Sequence, residues 1–277
     1  MGTNNLLQPV GVFDTGVGGL ALVREIHRQD KSRDVHFFTD NQRFPYGDQS
    51  RETVAKWLLQ IADFFKGEGV NQMLLGCNTA TAMSSGLLPV DKNIEIKGPI
   101  DDTVRAIREQ IFGTAVILAT DATINTRAYQ DALSTHTGRV VPVGGKGLER
   151  VIERDGVNSA STAEATKKSI VDIRRALGEH GSTGDHVDVV LGCTHYALAE
   201  GVIRRIFLDE GLEWGVFNPL PTIVDKMIGE KSSAHEHEGQ LTVLHTAPYS
   251  DEWWSRCARF MPQDMPVTTK RILLKNI

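Results

Sequence analysis

The sequence predicts an α/β protein of two pseudo-symmetric lobes, each built on a mainly parallel sheet. The first observation is a pair of matched segments, Met73–Ala82 and Val187–Tyr196, in which an apolar run typical of a buried strand ends in Leu-Gly-Cys. The second is the alternation of strand and helix patterns before each segment, which is typical of parallel sheets covered by helices. Ligands bind such sheets at the carboxyl ends of the strands, so Cys77 and Cys193 are predicted to lie at a ligand site.

Length and composition are those of a soluble protein with more than one domain. With 277 residues the chain exceeds one typical domain, and its 40% hydrophobic and 23% charged residues are ordinary for a globular protein. The net charge of −5 and the pI near 6.0 disfavour nucleic acid or a membrane surface as the main partner. Neither is therefore expected to bind this chain.

Targeting signals and cysteine usage predict a cytoplasmic protein with free thiols. The segment Met1–Val10 lacks the basic stretch and apolar run of a signal peptide, and no later run approaches the ~18–20 apolar residues of a membrane-spanning helix. The three cysteines are an odd number, as expected of free thiols in a reducing compartment. Cys257 stands in a helix-like segment without a motif, so we expect it to be structural.

The first lobe is predicted to alternate strands and helices up to the first cysteine. Its elements are strand Val10–Phe13, the glycine turn Asp14–Gly19, helix Leu20–His27, strand Val35–Phe38, the turn-rich loop Asn41–Asp48 with Tyr46, helix Arg51–Phe65 and the strand before Cys77. A further helix is predicted over Asn78–Leu88. Cys77 then stands at a helix N-terminus, where the helix dipole is expected to lower the pKa of the thiol.

The turn after the first strand also fits a dinucleotide-binding pattern. Gly16–Ala21 matches G-x-G-x-x-A, and Asp40 ends the next strand, where such sites carry an acidic residue. In that pattern the first glycine follows the strand directly, whereas here Asp14 and Thr15 intervene. Catalytic side chains usually occupy such strand ends, and one match of this kind is weak, so we disfavour dinucleotide binding.

The second lobe repeats the order of strand, polar turn, helix and, later, cysteine strand. Its elements are helix Asp101–Ile111, strand Ala115–Ala119, the polar turn Thr120–Thr126, helix Arg127–Leu133, strand Val140–Val143, helix Ser161–Leu177 and the strand before Cys193. Gly144–Gly147 lacks the Gly-Lys-Ser/Thr ending of a phosphate loop and is predicted to be a connector. The predicted domains are residues 1–99 plus 215–277 and residues 100–214.

The C-terminal part is predicted to complete the first lobe with strand Leu241–His245 and helix Trp253–Met261. The segment His235–Glu238 alternates histidine and glutamate, a composition that also occurs in metal-binding tracts. Because it lies in a charged polar stretch, a solvated loop is the preferred interpretation.

The paired cysteines disfavour several familiar chemistries. A thiol hydrolase built on Cys193 and His195 has no use for a second matched thiol, and neighbours in sequence rarely form such a pair. A zinc site needs four ligands at characteristic spacings, and a redox pair normally has a C-x-x-C arrangement; the sequence shows neither pattern. Two similar bases that face one carbon suit proton exchange at a stereocentre, in which one thiolate removes a proton and the opposite thiol supplies another.

Four segments around these residues resemble the signature segments of the bacterial glutamate racemases, in the aspartate/glutamate racemase superfamily. The segments are Gly11–Gly19, Arg43–Gly47, Cys77–Thr81 and Leu191–Tyr196. They occur in the family's order and at its intervals, and the likeness extends over residues 9–262. The resemblance implies racemisation of an acidic amino acid in the cleft between the lobes, without cofactor or metal. It also implies a homodimer that supplies D-glutamate for peptidoglycan synthesis.

The resemblance implies roles for individual residues. Cys77 and Cys193 are implied to be the acid/base pair, with Asp14 and His195 as further catalytic residues. The implied substrate-binding residues are Asp14, Thr15, Tyr46, Gly47, Asn78, Thr79, Thr123, Thr194 and His195, with Glu153 behind them. In the family the first-lobe cysteine takes the proton from the D-enantiomer and the second-lobe cysteine from the L-enantiomer, so we expect the same of Cys77 and Cys193.

Some positions depart from the family pattern. Thr15 replaces the usual serine and adds a methyl group, and Ala119 stands where a glycine is customary. Gly144–Gly147 differs from the common Cys-Pro segment, although Glu153 still matches the glutamate that follows. The last change concerns contacts to the substrate side chain. The motifs contain no dedicated arginine clamp, so neutral donors are expected to hold the substrate carboxylates.

Three alternatives remain open at this point. They are an aspartate racemase, another isomerase or decarboxylase of the superfamily, and a two-lobed amino-acid-binding protein without catalysis. Binding alone gives no reason for two matched thiols. Superfamily enzymes with other chemistry often keep one thiol or have different neighbours, so the Cys-Asn-Thr and Cys-Thr-His motifs favour a racemase.

Overall fold

Two parallel sheets organise the chain in a computed structural model that describes residues 8–178, 186–229 and 237–274. The strands are β1 Val10–Asp14, β2 Val35–Thr39, β3 Gln72–Leu75, β4 Glu95–Lys97, β5 Thr114–Ala119, β6 Arg139–Gly144, β7 Val187–Leu191, β8 Gly215–Phe217, β9 Leu241–His245 and β10 Val267–Arg271. One sheet has the order β10-β9-β2-β1-β3-β4 and the other has the order β6-β5-β7-β8. The neighbouring strands in both sheets are parallel, which confirms the predicted fold class.

Helices connect the strands, as a parallel sheet requires. They are α1 Leu20–Gln29, α2 Arg51–Gly67, α3 Asn78–Ser84, α4 Pro99–Gln110, α5 Asp121–Asn125, α6 Ala128–Ala132, α7 Leu148–Asp155, α8 Ala160–Leu177, α9 Thr194–Leu198, α10 Glu200–Asp209, α11 Leu220–Ile228 and α12 Asp251–Ala258. The N-cap residues that precede α2, α8 and α12 are Ser50, Ser159 and Ser250. Each of these side chains accepts a hydrogen bond from the backbone N–H three residues later. These N-caps satisfy donors that the first helical turn leaves unpaired.

The central strands of each sheet are buried on both faces, because alternate residues of these strands enter different hydrophobic cores. In β1, Val12 packs in the core that includes α1, α11 and α12, whereas Phe13 packs with α2 and α3. In β5, Val116 packs with α7, α8 and α10, whereas Ile117 packs with α4 and α6. Strands buried on both sides carry continuous apolar runs, which explains why these strands are recognisable in the sequence.

The two sheets share one strand arrangement. β1 lies between β2 and β3 in the first sheet, and β5 lies between β6 and β7 in the second. β1 ends at Asp14 and Thr120 follows β5, while Cys77 and Cys193 come shortly after β3 and β7. Each lobe therefore brings a polar residue and a thiol together at the sheet edge where ligands bind.

Several predicted boundaries differ from the structure, and among them the helix predicted over Asn78–Leu88 ends at Ser84. β8 Gly215–Phe217 pairs with β7 and belongs to the second sheet, so the predicted return to the first lobe at residue 215 is early. Three residues are too few to show a strand period in the sequence. We therefore propose that the first lobe resumes after Phe217. The helix predicted over Trp253–Met261 corresponds to α12, which ends at Ala258.

The charged stretch near the C-terminus is only partly described. His235 and Glu236 lie outside the described residues, whereas His237 Nε2 lies within hydrogen-bonding distance of Asp34 Oδ1, at 3.0 Å. Within the described ranges, no group of three or more His, Cys, Asp or Glu side chains is arranged to hold a metal ion. The same ranges contain no helix with both the length and the apolar character needed to span a membrane.

Candidate active site

A cavity of about 230 Å³ lies between the lobes, at the carboxyl ends of β1, β3, β5 and β7. Its wall includes many of the residues singled out in the sequence, namely Asp14, Thr15, Tyr46, Gly47, Cys77, Asn78, Thr79, Cys193, Thr194 and His195. The cavity is smaller than the ~300–1,000 Å³ pockets that bind drug-sized ligands, so it suits a small molecule. The two cysteine motifs, distant in the chain, meet at this one site.

Cys77 follows β3 and forms the N-cap of α3. Its Sγ accepts a hydrogen bond from the backbone N–H of Ala80 at 3.4 Å and lies 3.9 Å from Thr15 Oγ1. Burial raises the pKa of the Cys77 thiol, and the nearby Asp14 carboxylate raises this pKa further. The prediction of a lowered pKa at this position is wrong, since the loss of hydration outweighs the hydrogen bond from Ala80.

Cys193 occupies the matching position after β7, but its partners differ. Its Sγ lies 4.0 Å from His195 Nδ1, and it makes no side-chain hydrogen bond to the start of α9. Burial raises the pKa of the Cys193 thiol, while the hydrogen bond and charge of His195 act in the opposite direction. The thiols are alike in placement, but one is next to a carboxylate and the other is next to an imidazole.

Asp14 ends β1 and connects the two lobes. Its Oδ1 accepts hydrogen bonds from the backbone N–H groups of Thr15 at 2.6 Å and Gly16 at 3.4 Å, and its Oδ2 accepts one from the Thr194 hydroxyl at 2.9 Å. Burial raises the pKa of Asp14, although the charge of His195 and these hydrogen bonds act to lower it. A carboxyl group with a raised pKa is better matched to proton transfer near neutral pH than an ordinary aspartate.

His195 is held by Glu153. His195 Nε2 lies 2.8 Å from Glu153 Oε2, and the same oxygen accepts the backbone N–H of Val17 at 2.8 Å. Burial lowers the pKa of His195, but the hydrogen bonds to Cys193 and Glu153 outweigh this effect and keep the pKa well above its ordinary value. Glu153 is not part of the cavity wall, so it acts on the site through His195.

Gly18 allows the two lobes to touch. A Cβ atom at this position would come within 2.5 Å of His195 Nδ1 and 2.6 Å of Thr194 Oγ1. A Cβ atom at Gly16 would overlap the carboxylate of Glu153. These glycines therefore serve close packing between the lobes, and not the approach of a dinucleotide.

Asp40 holds the side chain of Tyr46, which also argues against a dinucleotide site. The Tyr46 hydroxyl donates to Asp40 Oδ2 at 2.6 Å, and the Thr246 hydroxyl donates to Oδ1 at 2.8 Å. Arg43 Nε lies 2.6 Å from the same carboxylate, and the Arg43 guanidinium lies over the ring of Trp57. Because Asp40 is buried and engaged in these contacts, it fixes Tyr46 in the wall and cannot serve a ribose.

Three threonine hydroxyls join the lobes. Thr79 Oγ1 lies 2.8 Å from Thr120 Oγ1 and 3.3 Å from Thr123 Oγ1. Thr79 and Thr120 line the cavity, but Thr123 does not, in contrast to the substrate contact implied for it. The Thr120 side chain caps α5 by accepting the backbone N–H of Thr123, which places Thr123 inside the first helical turn, behind the wall. Thr123 orients the other two hydroxyls.

The structure adds wall residues that sequence reasoning missed. They are Phe44, Pro45, Asp48, Thr120, Asp121, Ala122, Asn125, Gly147, Glu149 and Arg150. Asp48 directly follows a quoted motif, and Thr120 follows β5 much as Asp14 ends β1, so these positions carried a signal. Glu149 and Arg150 stand next to the segment that departs from the family pattern, and no sequence pattern indicated that they line the cavity. An arginine thus lies on the wall of a site for which the motifs predict neutral donors.

The arrangement places two thiols at one small cavity. The thiols come from different lobes, and each has a titratable partner, Asp14 for Cys77 and His195 for Cys193. Groups with perturbed pKa values that converge on a cavity are typical of functional sites. Two thiols placed in this way can remove a proton from a bound molecule and return another.

The chain is similar to known racemases in sequence. Residues 17–223 match the family model described as Asp/Glu/Hydantoin racemase. A glutamate racemase from Persephonella marina is 30% identical over 200 residues, which cover 72% of this chain and 74% of that protein. These matches confirm the resemblance inferred from the four segments.

Two solved structures share the fold. A glutamate racemase isoform from Bacillus anthracis has a TM-score of 0.77 at 23% identity, with 96% of this chain and 98% of that chain covered. A glutamate racemase from Francisella tularensis, solved in complex with D-glutamate, has a TM-score of 0.76 at 23% identity, with 98% and 99% covered. Because the family model spans most of the chain and both cysteine motifs, this chain belongs to the Asp/Glu/Hydantoin racemase family and is an isomerase.

Proposed function

We propose that this chain interconverts L-glutamate and D-glutamate by cofactor-independent proton transfer between two thiols. The observation that carries the proposal is that Cys77 and Cys193 line one cavity from different lobes. A single base tends to return a proton to the face from which it came, so inversion at Cα calls for an acid on the opposite face. Membership of a racemase family supports the same reaction.

The proton balance follows from this pair. From L- to D-glutamate, the Cys193 thiolate takes the Cα proton and becomes a thiol, while the Cys77 thiol gives its proton to the opposite face and becomes a thiolate. The substrate keeps its charge, because one proton leaves and one arrives. The thiols exchange roles in the reverse direction, and the assignment of each thiol to an enantiomer rests on the family resemblance.

The neighbours of each thiol supply the means to ionise it. His195, whose pKa is raised, carries the positive charge that stabilises a Cys193 thiolate 4.0 Å away. On the other side, Thr15 Oγ1 lies 3.9 Å from Cys77 Sγ and 3.5 Å from Asp14 Oδ1, so a hydroxyl stands between the thiol and the carboxylate. We therefore assign His195 and Asp14 as the proton-transfer partners of Cys193 and Cys77.

The rest of the wall is suited to hold the amino and carboxylate groups at Cα. The neutral donors at the cavity include Thr15, Asn78, Thr79 and Thr194, and Asp14 is an acceptor for an ammonium group. Tyr46, fixed by Asp40, and Gly47 complete this part of the wall. Fixed donors place Cα between the thiols and stabilise negative charge that develops as the proton leaves.

The test is α-proton exchange in deuterium oxide. Both enantiomers of glutamate are expected to acquire α-deuterium and to invert, as followed by proton NMR and optical rotation. Cys77→Ala and Cys193→Ala should each abolish inversion, whereas Cys257→Ala, which removes a thiol outside the cavity, should retain it.

Three outcomes would favour other functions. Binding of glutamate without exchange in the wild type would indicate an amino-acid-binding protein. Inversion of aspartate alone would indicate an aspartate racemase. Inversion that persists in both Cys77→Ala and Cys193→Ala would remove the thiols from the mechanism.

We further propose that the enzyme acts in the cytoplasm as a homodimer and supplies D-glutamate for peptidoglycan synthesis. The support is the resemblance to bacterial glutamate racemases. Added D-glutamate should restore growth to cells depleted of the protein. Sedimentation at micromolar concentration should show a dimer, and a mass of 30.5 kDa would refute it.

A further inference from the structure

Three charged side chains meet where the lobes face each other across the cavity. Asp48 follows Tyr46 and Gly47 in the first lobe, and Glu149 and Arg150 lie in the first turn of α7 in the second lobe. Arg150 Nη2 lies 2.6 Å from Asp48 Oδ1, whereas Arg150 Nε lies 3.7 Å from Glu149 Oε1. The Arg150–Asp48 ion pair therefore spans the cleft.

Arg150 is the cation on the wall that can form an ion pair with a substrate carboxylate. Among the wall residues in the described ranges, the other basic side chain is His195, which is engaged with Cys193 and Glu153. The side chain of Arg150 is 48% exposed and that of Asp48 is 54% exposed. An ion pair with this exposure contributes little net stability, so Asp48 can release the guanidinium and return to water at small cost.

We propose that Arg150 binds the side-chain carboxylate of the substrate. In the absence of substrate, the Arg150 guanidinium pairs with Asp48, and the substrate carboxylate replaces Asp48 on binding. This inference deepens the proposed glutamate racemisation and rests on it. Glutamate carries a second carboxylate away from Cα, which needs donors other than those that surround the thiols. A guanidinium offers a carboxylate two parallel N–H groups, a geometry that hydroxyl groups and ammonium ions lack.

Glu149 orients Arg150 and is not displaced. Its side chain is 12% exposed, and its Oε2 accepts the hydroxyl of Tyr196 at 3.2 Å. The 3.7 Å between Arg150 Nε and Glu149 Oε1 exceeds a hydrogen bond, so Glu149 attracts the guanidinium without occupying its N–H groups. Asp48 is the more exposed carboxylate and is the one that a substrate replaces.

This arrangement selects side chains that end in a carboxylate. A neutral side chain of equal length, as in glutamine, has no negative charge to compete with Asp48 for Arg150, and its single amide oxygen cannot accept the two parallel hydrogen bonds that a carboxylate accepts. Selection therefore depends on residues next to Gly144–Gly147, where the chain departs from the family pattern.

Substitutions of the two partners of the ion pair are expected to change KM in opposite directions. Arg150→Gln should raise KM for L-glutamate about ten- to a hundredfold, which corresponds to a lost hydrogen bond between charged groups. Asp48→Asn should lower KM, because it removes the competitor for Arg150. Deuterium exchange measures both values. L-glutamine, used as a competitive inhibitor in the same assay, should bind equally well to the wild type and to Arg150→Gln.

The controls separate substrate recognition from a structural role. Arg154→Gln is matched, since Arg154 stands one turn further along α7 and pairs with Asp155. Arg150→Lys, which keeps the charge and loses the planar fork, should recover part of the loss. An unchanged KM in either Arg150→Gln or Asp48→Asn, or a rise in both, would overturn the proposal in favour of an ion pair that only joins the lobes. No exchange in the wild type would instead reject the proposed function, and this inference with it.

Discussion

The Thr194 hydroxyl donates a hydrogen bond across the cleft to Asp14 Oδ2 at 2.9 Å. Thr194 directly follows Cys193 in the second lobe, whereas Asp14 belongs to the first lobe and raises the pKa of Cys77. One hydrogen bond therefore connects the surroundings of both thiols. A change at this bond is expected to affect the exchange as a whole.

Thr194→Val tests this connection. The variant removes a donor to the Asp14 carboxylate, so the pKa of Asp14 should rise further. Racemisation should fall about ten- to a hundredfold, and the acidic limb of the pH–rate profile should move to higher pH. Thr268→Val, on the exposed strand β10, is the control and should match the wild type. An unshifted acidic limb would dissociate Asp14 from the proton transfer.

The division of labour between the thiols can be tested with a glutamate analogue that carries a leaving group at Cβ. Elimination needs only the first proton removal, so one thiol suffices. Cys77→Ser should release the leaving group from the L-analogue, and Cys193→Ser should release it from the D-analogue, while neither variant racemises glutamate. The opposite pattern would reverse the assignment, and equal elimination from both enantiomers by either variant would show that its remaining thiol does not discriminate.

Glu153→Gln should shift the alkaline limb of the pH–rate profile to lower pH. The variant removes a negative partner of His195, so the pKa of His195 should fall and the imidazolium beside Cys193 should be lost at lower pH. The matched control is Glu164→Gln on the exposed surface of α8, where Glu164 pairs with Lys168. An alkaline limb at the wild-type position in Glu153→Gln would mean that His195 does not control the active thiolate.

Two glycine substitutions should change different properties, since one lowers the rate of racemisation and the other raises the free energy of unfolding. Gly18→Ala places a Cβ within 2.5 Å of His195 Nδ1, so the lobes must shift; we expect a rate loss on the order of a hundredfold. Gly201→Ala, within α10, meets nothing within 4 Å and should raise the free energy of unfolding by about 0.5–1 kcal/mol with unchanged activity. Urea denaturation and deuterium exchange check both variants. Full activity in Gly18→Ala would show that the close contact is not needed.

The buried thiol of Cys257 should reduce stability at alkaline pH. Burial raises the folded-state pKa of Cys257, which takes no part in the proposed proton transfer, above the ordinary value of about 8.5, so this thiol ionises first in the unfolded chain. The free energy of unfolding should therefore decrease as pH rises from about 8.5 towards the folded-state pKa of Cys257, by about 1.4 kcal/mol per pH unit for this thiol. Cys257→Ala should show a shallower decrease while it retains racemisation. Urea denaturation between pH 8 and 10 measures the slope, and an unchanged slope would contradict the raised pKa of Cys257.

Much of the fold and of the cavity wall can be predicted from the sequence, because both depend on strand ends. The buried strand before Cys77 and the one before Cys193 are continuous apolar runs, and the residue types that follow a parallel strand lie at the ligand edge of the sheet. This local rule is sufficient to place both cysteines, Asp14, Asn78 and Thr194 on one wall.

Other features depend on tertiary packing and lie beyond a local rule. The helix dipole at Cys77 favours a lowered pKa, but burial between two lobes reverses the direction. Arg150 reaches the wall because of the position of α7 over the cleft, and no pattern in a single helix specifies that position. β8 is too short to show a period, so only its pairing with β7 assigns it to the second sheet.

The hydrogen bond from the Ala80 amide to Cys77 Sγ ties the backbone to the state of the thiol. A thiolate accepts a hydrogen bond more strongly than a thiol, so this bond tightens whenever Cys77 gives up its proton. The amide proton of Ala80 is therefore a natural spectroscopic reporter. In the proposed mechanism the enzyme has two resting forms, one ready for the L-enantiomer and the other ready for the D-enantiomer. The chemical shift of this amide proton should differ between the two forms and so report the population of each.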